Sequence, residues 1–131
     1  MGTERNKQTV RSLIDAMDRG NVADMLAVFH DDASWIVPGS SSLSGQFTRD
    51  MFAAGSASLF SSFPDGLHFE IIDLMAERDR VAAEVMSRGV HITNMPYRNH
   101  YHFLFILRDD KIVKALEFMD TKHAADVLYS G

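Results

Sequence analysis

The chain has no cysteine, which excludes disulfides, thiolate-held metals and a cysteine nucleophile. It has no basic stripe either. Its 13 Lys and Arg are scattered among 18 Asp and Glu, for a net charge of −5, so no nucleic-acid surface is expected. No run approaches the ~20 apolar residues needed to cross a bilayer, and no membrane partner is expected. The opening MGTERNKQTV is polar and lacks the apolar core of an export signal. Asn6 stands where a myristoylation signal needs Ser or Thr. A cytoplasmic setting is the resulting expectation.

Apolar residues make up 46% of the 131 positions, enough for a packed core and too short a chain for two. Residues 1–131 are therefore expected to form a single domain. In the first third the apolar period is helical. Val10, Leu13, Ile14 and Met17 form one stripe, ended by Gly20, and Val22, Met25, Leu26 and Phe29 form a second behind the N-cap Asn21. A short strand is predicted over Ala33 to Pro38, then a Ser- and Gly-rich loop over 39–46. A third helix is predicted from Thr48 to Phe63, with Met51, Phe52, Leu59 and Phe63 inward.

From Leu67 the period becomes two, and the spacing predicts strands over 67–76, 80–92, 96–108 and 111–119 with hairpin-length links. A last short helix is expected near Thr121. Helices followed by a long meander predict an α+β fold, a strongly curved antiparallel sheet packed on three N-terminal helices, with a pocket between the layers.

The last hairpin carries the sharpest expectation. With Asp109-Asp110 as a two-residue turn, His102 falls opposite Glu117 and His100 opposite Met119, while Leu104 faces Ala115. The other face would then carry Tyr101, Phe103, Phe105, Leu116 and Phe118, an apolar patch suited to a homodimer. A three-residue loop would instead set His102 against Leu116 or Phe118.

The amphipathic helices, the segment FHDDASWIVPG and the ending PYRNHYHFLFILRDDKIVKALEFMDT resemble the SnoaL-like polyketide cyclase branch of the nuclear transport factor 2-like superfamily. The resemblance implies a cone-shaped α+β barrel, dimerisation through the outer sheet face and an internal pocket for a small hydrophobic molecule. It also argues against two chemistries of that superfamily. The positions matching the polar groups of ketosteroid isomerases are Leu13, Val37 and Leu104, and the stretch Glu84 to Arg88 lacks the Arg-x-Asp pair of limonene epoxide hydrolases. The strand-end acid of SnoaL-like cyclases matches Asp120.

The expected reaction is cofactor-free acid–base chemistry, an aldol-type cyclisation or isomerisation of a small hydrophobic carbonyl compound. Asp120 would move the proton, and His102, held by Glu117, would orient the substrate oxygen. The expected pocket wall is Trp35, Val37, Phe52, Leu59, Met86, Arg88, His100, Leu104 and Met119. Each has a plainer reading: Asp120 as a helix N-cap, His102 and Glu117 as a structural pair, the apolar residues as core. His100, His102, Glu117 and Asp120 are metal-ligand types without a metal motif, so no metal is expected. The alternatives are a dimeric binding module without chemistry and an epoxide-hydrolase-like hydrolase.

Overall fold

A computed structural model of the chain describes residues 2–129. The elements are α1 (Gly2–Arg19), α2 (Val22–Leu26), β1 (Phe29–Val37), β2 (Gly45–Thr48), α3 (Arg49–Ser61), β3 (His68–Glu77), β4 (Arg80–Val90), β5 (Pro96–Arg108), β6 (Lys111–Phe118) and α4 (Thr121–Leu128). Val10, Leu13, Ile14 and Met17 are all buried on α1, as their spacing requires. Gly20, at φ 65, ends that helix because a left-handed residue costs glycine little. Caps then start the next two helices. The Asp24 amide donates to Asn21 Oδ1 at 3.0 Å, and the Met51 amide to Thr48 Oγ1 at 3.2 Å.

The six strands form one sheet in the order β2-β1-β6-β5-β4-β3. The helices cover its inner face, with α1 against β3 and β4 and α3 against β1 and β2. The α+β layering and the long meander are as the sequence predicts. Two details differ. Strand β1 begins at Phe29 rather than Ala33, and it pairs in parallel with β6, so the sheet is mixed. Part of the expected 39–46 loop belongs to β2, which forms a hairpin with β1 through Trp35↔Phe47 and Val37↔Gly45. Serines and glycines around this short edge strand conceal it from a test of alternation. No helix among the described residues is long and apolar enough to cross a membrane.

The turn of the last hairpin has two residues, as expected, with Arg108 opposite Lys111. Asp109 and Asp110 sit at φ 53 and 66, the left-handed pair that a type I′ turn needs. The pairing then slips. Leu107 faces Ile112 but Ile106 faces Lys114, leaving Val113 as a bulge. A bulged residue reverses the inside–outside alternation beyond it. His102 consequently faces Phe118, and Glu117 faces Phe103. The expected His102–Glu117 pair does not form.

The same slip corrects the two faces of β5. Tyr101, Phe103 and Phe105 are buried under the helices, not on the outer surface. Leu116 and Phe118 remain outside, opposite Leu104 and His102.

Asp110 is held at a φ that an aspartate side chain tolerates and glycine adopts freely. Its ion pair with Arg5, at 3.5 Å, is exposed and contributes little. The Asp110→Gly change should therefore raise stability by about 0.5–1 kcal/mol, read by urea denaturation. A loss of stability would show that the turn has another geometry.

Candidate active site

Trp35 is the hub of the inner layer. It stacks on Phe52 with ring centroids 4.0 Å apart and meets Phe29, Phe103 and Phe105 edge-on. Packing on all sides fixes the ring, and the fixed ring aims one polar atom. Trp35 Nε1 donates to Glu117 Oε1 at 2.9 Å. The Trp35↔Ala115 register places the indole beside β6, and the Val113 bulge brings Glu117 inward to meet it.

Glu117 is half-buried. It faces a partly open cavity of about 220 Å³, whose rim includes the exposed Met51 and Tyr129. Trp35 holds one carboxyl oxygen. The other, Oε2, has no protein hydrogen bond and is not sealed off, so it opens to this space. Burial pushes the carboxyl pKa from 4.5 to about 7, against the opposing effect of the indole hydrogen bond. A carboxyl poised there can give or take a proton at neutral pH.

The same cavity is lined by Val37, Phe52, Leu59 and Met119, and by two phenols, Tyr97 and Tyr101. The phenol oxygens are 3.1 Å apart. Tyr101 Oη lies 2.9 Å from Ser87 Oγ, and Asn99 Nδ2 donates to Tyr97 Oη at 2.9 Å. Burial raises both phenol pKa values, and the nearby Glu117 charge raises them further. Both therefore stay protonated near neutral pH and act as donors.

Five expected wall residues thus meet around the cavity: Trp35, Val37, Phe52, Leu59 and Met119. Four do not. Met86, Arg88, His100 and Leu104 belong to the opposite side of the sheet, whose alternation in β4 buries Val81, Ala83, Val85 and Ser87 instead. His100 pairs with Glu84 at 2.7 Å on that exposed side, and His102 lies beside it, away from Glu117. Asp120 caps α4, its Oδ1 accepting the His123 amide at 3.1 Å, and its side chain is exposed. Among the described residues, no three His, Asp or Glu gather as metal ligands. Sequence reasoning missed Tyr97 and Tyr101 as lining groups. The available signal was in β4, where small apolar residues alternate with Glu84, Met86 and Arg88 and so mark the covered face.

Comparison with known proteins agrees with this fold. The SnoaL-like domain profile matches residues 10–115. The chain belongs to the SnoaL-like domain family. Solved structures share the fold of this SnoaL-like protein over nearly all its length. An NTF2-like protein from Burkholderia xenovorans LB400 is 26% identical, with TM-score 0.75 over 97% of this chain and 98% of that one. Bal32a, from a soil-derived mobile gene cassette, is 18% identical with TM-score 0.86 over 97% and 98%. TerC, crystallised with polyporic acid, is 15% identical with TM-score 0.81 over 95% and 98%. No curated protein matches the sequence.

The raised Glu117 pKa links folding to pH. Between 4.5 and about 7 the unfolded chain has released this proton and the folded chain still holds it, so stability falls as pH rises. The full cost, roughly 3 kcal/mol, applies above that window and vanishes below it. Glu117→Gln should therefore be more stable than the parent at pH 8, with the gain shrinking as pH drops to 5. Denaturation series at several pH values measure this, and a gain independent of pH would mean that Glu117 titrates normally.

Proposed function

We propose that this SnoaL-like protein is a cofactor-free acid–base enzyme, an isomerase or aldol-type cyclase, acting on a small, largely apolar carbonyl compound. Glu117 is the group that moves the proton. The observation that carries the reading is the Glu117 carboxyl itself: one oxygen anchored by Trp35, the other open to an apolar cavity, its pKa near 7. A carboxylate so placed is a stronger base than one in water, and the fixed indole limits its reorganisation. Asp120 and His102, the other expected participants, are engaged elsewhere, one at the α4 cap and one on the outer face. The acid–base role passes to the third member of that set.

Cavity size supports the substrate class. About 220 Å³ is below the ~300–1,000 Å³ of most drug-sized sites, which favours a compound of one or two rings. TerC, similar in fold, was crystallised with polyporic acid, consistent with small-molecule binding in such a pocket.

The exposed sheet face supports a homodimer. Phe118, Met75 and Ile72 are 45%, 67% and 50% exposed there and along its edge, beside half-buried Leu104, Ile106 and Leu116. Such an apolar surface favours a second copy. Leu104→Glu should shift the molecular mass seen by sedimentation from dimer to monomer, while a monomeric parent would remove this part of the reading.

The chemistry is tested with 2-tetralone, a two-ring ketone with acidic α-protons. In D2O the protein should accelerate α-proton exchange, read by NMR, with a rate that rises with pH through about 7. Glu117→Gln should lower it by about 10²–10⁴. If bound tetralone exchanges no faster than in buffer, or Glu117→Gln exchanges like the parent, the cavity only binds. That outcome would favour the non-catalytic binding module.

A further inference from the structure

Asn99 faces inward on β5, opposite Ser87 on β4, and is 3% exposed. Its side-chain amide is fully committed. Oδ1 accepts the backbone amides of His100 at 2.9 Å and Asp120 at 3.1 Å. Nδ2 donates to the Asp120 carbonyl at 3.1 Å and to Tyr97 Oη at 2.9 Å. Backbone N–H groups only donate and carbonyls only accept, so the amide has one possible orientation. Asn99 must donate to Tyr97, and the Tyr97 proton must go elsewhere.

Beyond Tyr97, the hydroxyls of Tyr97, Tyr101 and Ser87 stand in a row joined by two contacts, of 3.1 and 2.9 Å. Three protons share two bonds, because the Asn99 end of the row supplies a hydrogen and accepts none. One hydroxyl proton is always left without a protein acceptor. Ser87 does not line the cavity, whereas both phenols do. With Ser87 donating to Tyr101, the surplus falls on the phenol pair and is presented to the cavity. Each hydroxyl in such a chain polarises the next, making the terminal donor stronger.

We propose that the Tyr97–Tyr101 pair is the docking point for a ligand oxygen, with Asn99 the positioning residue that turns the chain into a donor. This rests on the reading of the cavity as the functional site and specifies its ligand. The walls hold no Lys or Arg, so a permanent carboxylate or phosphate would be buried without a counter-ion. The class that fits is a compact enolisable ketone or phenol, whose oxygen carries negative charge only as a proton leaves. Glu117 lines the same space as the phenols, so proton removal and charge stabilisation fall to different groups. Burial keeps both phenols protonated, as oxygen donors must be.

The test uses two probes of one shape, 4-nitrophenol and nitrobenzene, which differ only in the oxygen. Binding is read by quenching of Trp35, the single tryptophan of the chain, which lines the cavity. At pH 6, where 4-nitrophenol is uncharged, Tyr101→Phe and Tyr97→Phe should each weaken 4-nitrophenol by about 10- to 100-fold while leaving nitrobenzene within about twofold. Asn99→Asp replaces the obligate donor by an acceptor and should abolish the preference for 4-nitrophenol, with nitrobenzene still bound. If Asn99→Asp does not fold, the two Phe variants decide alone. The inference is overturned if 4-nitrophenol is unaffected in both Phe variants, or if both probes weaken equally. Glu117→Gln separates this from the acid–base reading: it should end tetralone exchange yet keep the 4-nitrophenol preference. Loss of tyrosine dependence with exchange intact would sink the docking point and spare the base.

Discussion

A single bulged residue decides which side of the sheet carries the acid. Without Val113 as an extra residue, β6 would keep the alternation set by its turn, and Glu117 would face outward beside His102. With it, Ala115 and Glu117 face the helices, and Lys114, Leu116 and Phe118 face out. The place of the carboxyl in the cavity depends on that reversal. The indole of Trp35 then has an acceptor at hydrogen-bond distance, and the phenols of β5 share a cavity with a carboxyl. Bulges bend strands and re-aim side chains near functional sites, and here the re-aimed side chain is the one carboxyl among the described residues with a strongly displaced pKa.

The buried carboxyl is held at an energetic cost. Burial penalises its charged form, and one indole N–H compensates only part of that. The surrounding structure offsets the rest through aromatic packing: Phe29, Phe52, Phe103 and Phe105 all contact Trp35. Around Asn99, by contrast, the polar groups are closely matched. The amide side chain stands in for backbone, binding both the N–H and the C=O of Asp120. It thereby ties the start of α4 to β5. The Asp120 carboxylate completes that junction by capping the helix, so its position at the end of the last strand is explained by structure.

The helical stripes, the capping residues Asn21, Thr48 and Asp120, the hairpin turns and the α+β layering were legible because each rests on local chemistry: periodicity, side-chain acceptors, left-handed turn residues. The Asp109-Asp110 turn is legible even though glycine would suit it better. What lay beyond local reading was the register past the turn. A bulge shifts pairing by one residue and leaves no compositional mark in KIVKALEF, so plain alternation sets His102 opposite Glu117 and exchanges the faces of β5. Half the pocket wall survived, since Trp35, Val37, Phe52 and Leu59 belong to β1 and α3, upstream of the slip. Met119, beyond the slip, also lines the cavity. Met86, Arg88, His100 and Leu104 were misplaced with the face they share. The alternation of β4 held the corrective signal, because Val81, Ala83 and Val85 are the residues a covered face would choose.

The cavity divides its labour between layers. Its hydrogen-bonding groups Trp35, Tyr97, Tyr101 and Glu117 come from the sheet, while α3 adds Ser56 and, with α4, mainly apolar surface through Phe52, Leu59, Ala124 and Leu128. Strand residues are fixed by pairing on both sides, whereas a helix can exchange one apolar side chain for another of similar volume at modest cost. Drift on the two helices can therefore reshape what fits inside without moving the proton-handling atoms, and ligand preference can diversify among descendants of this chain while the reactive centre stays constant.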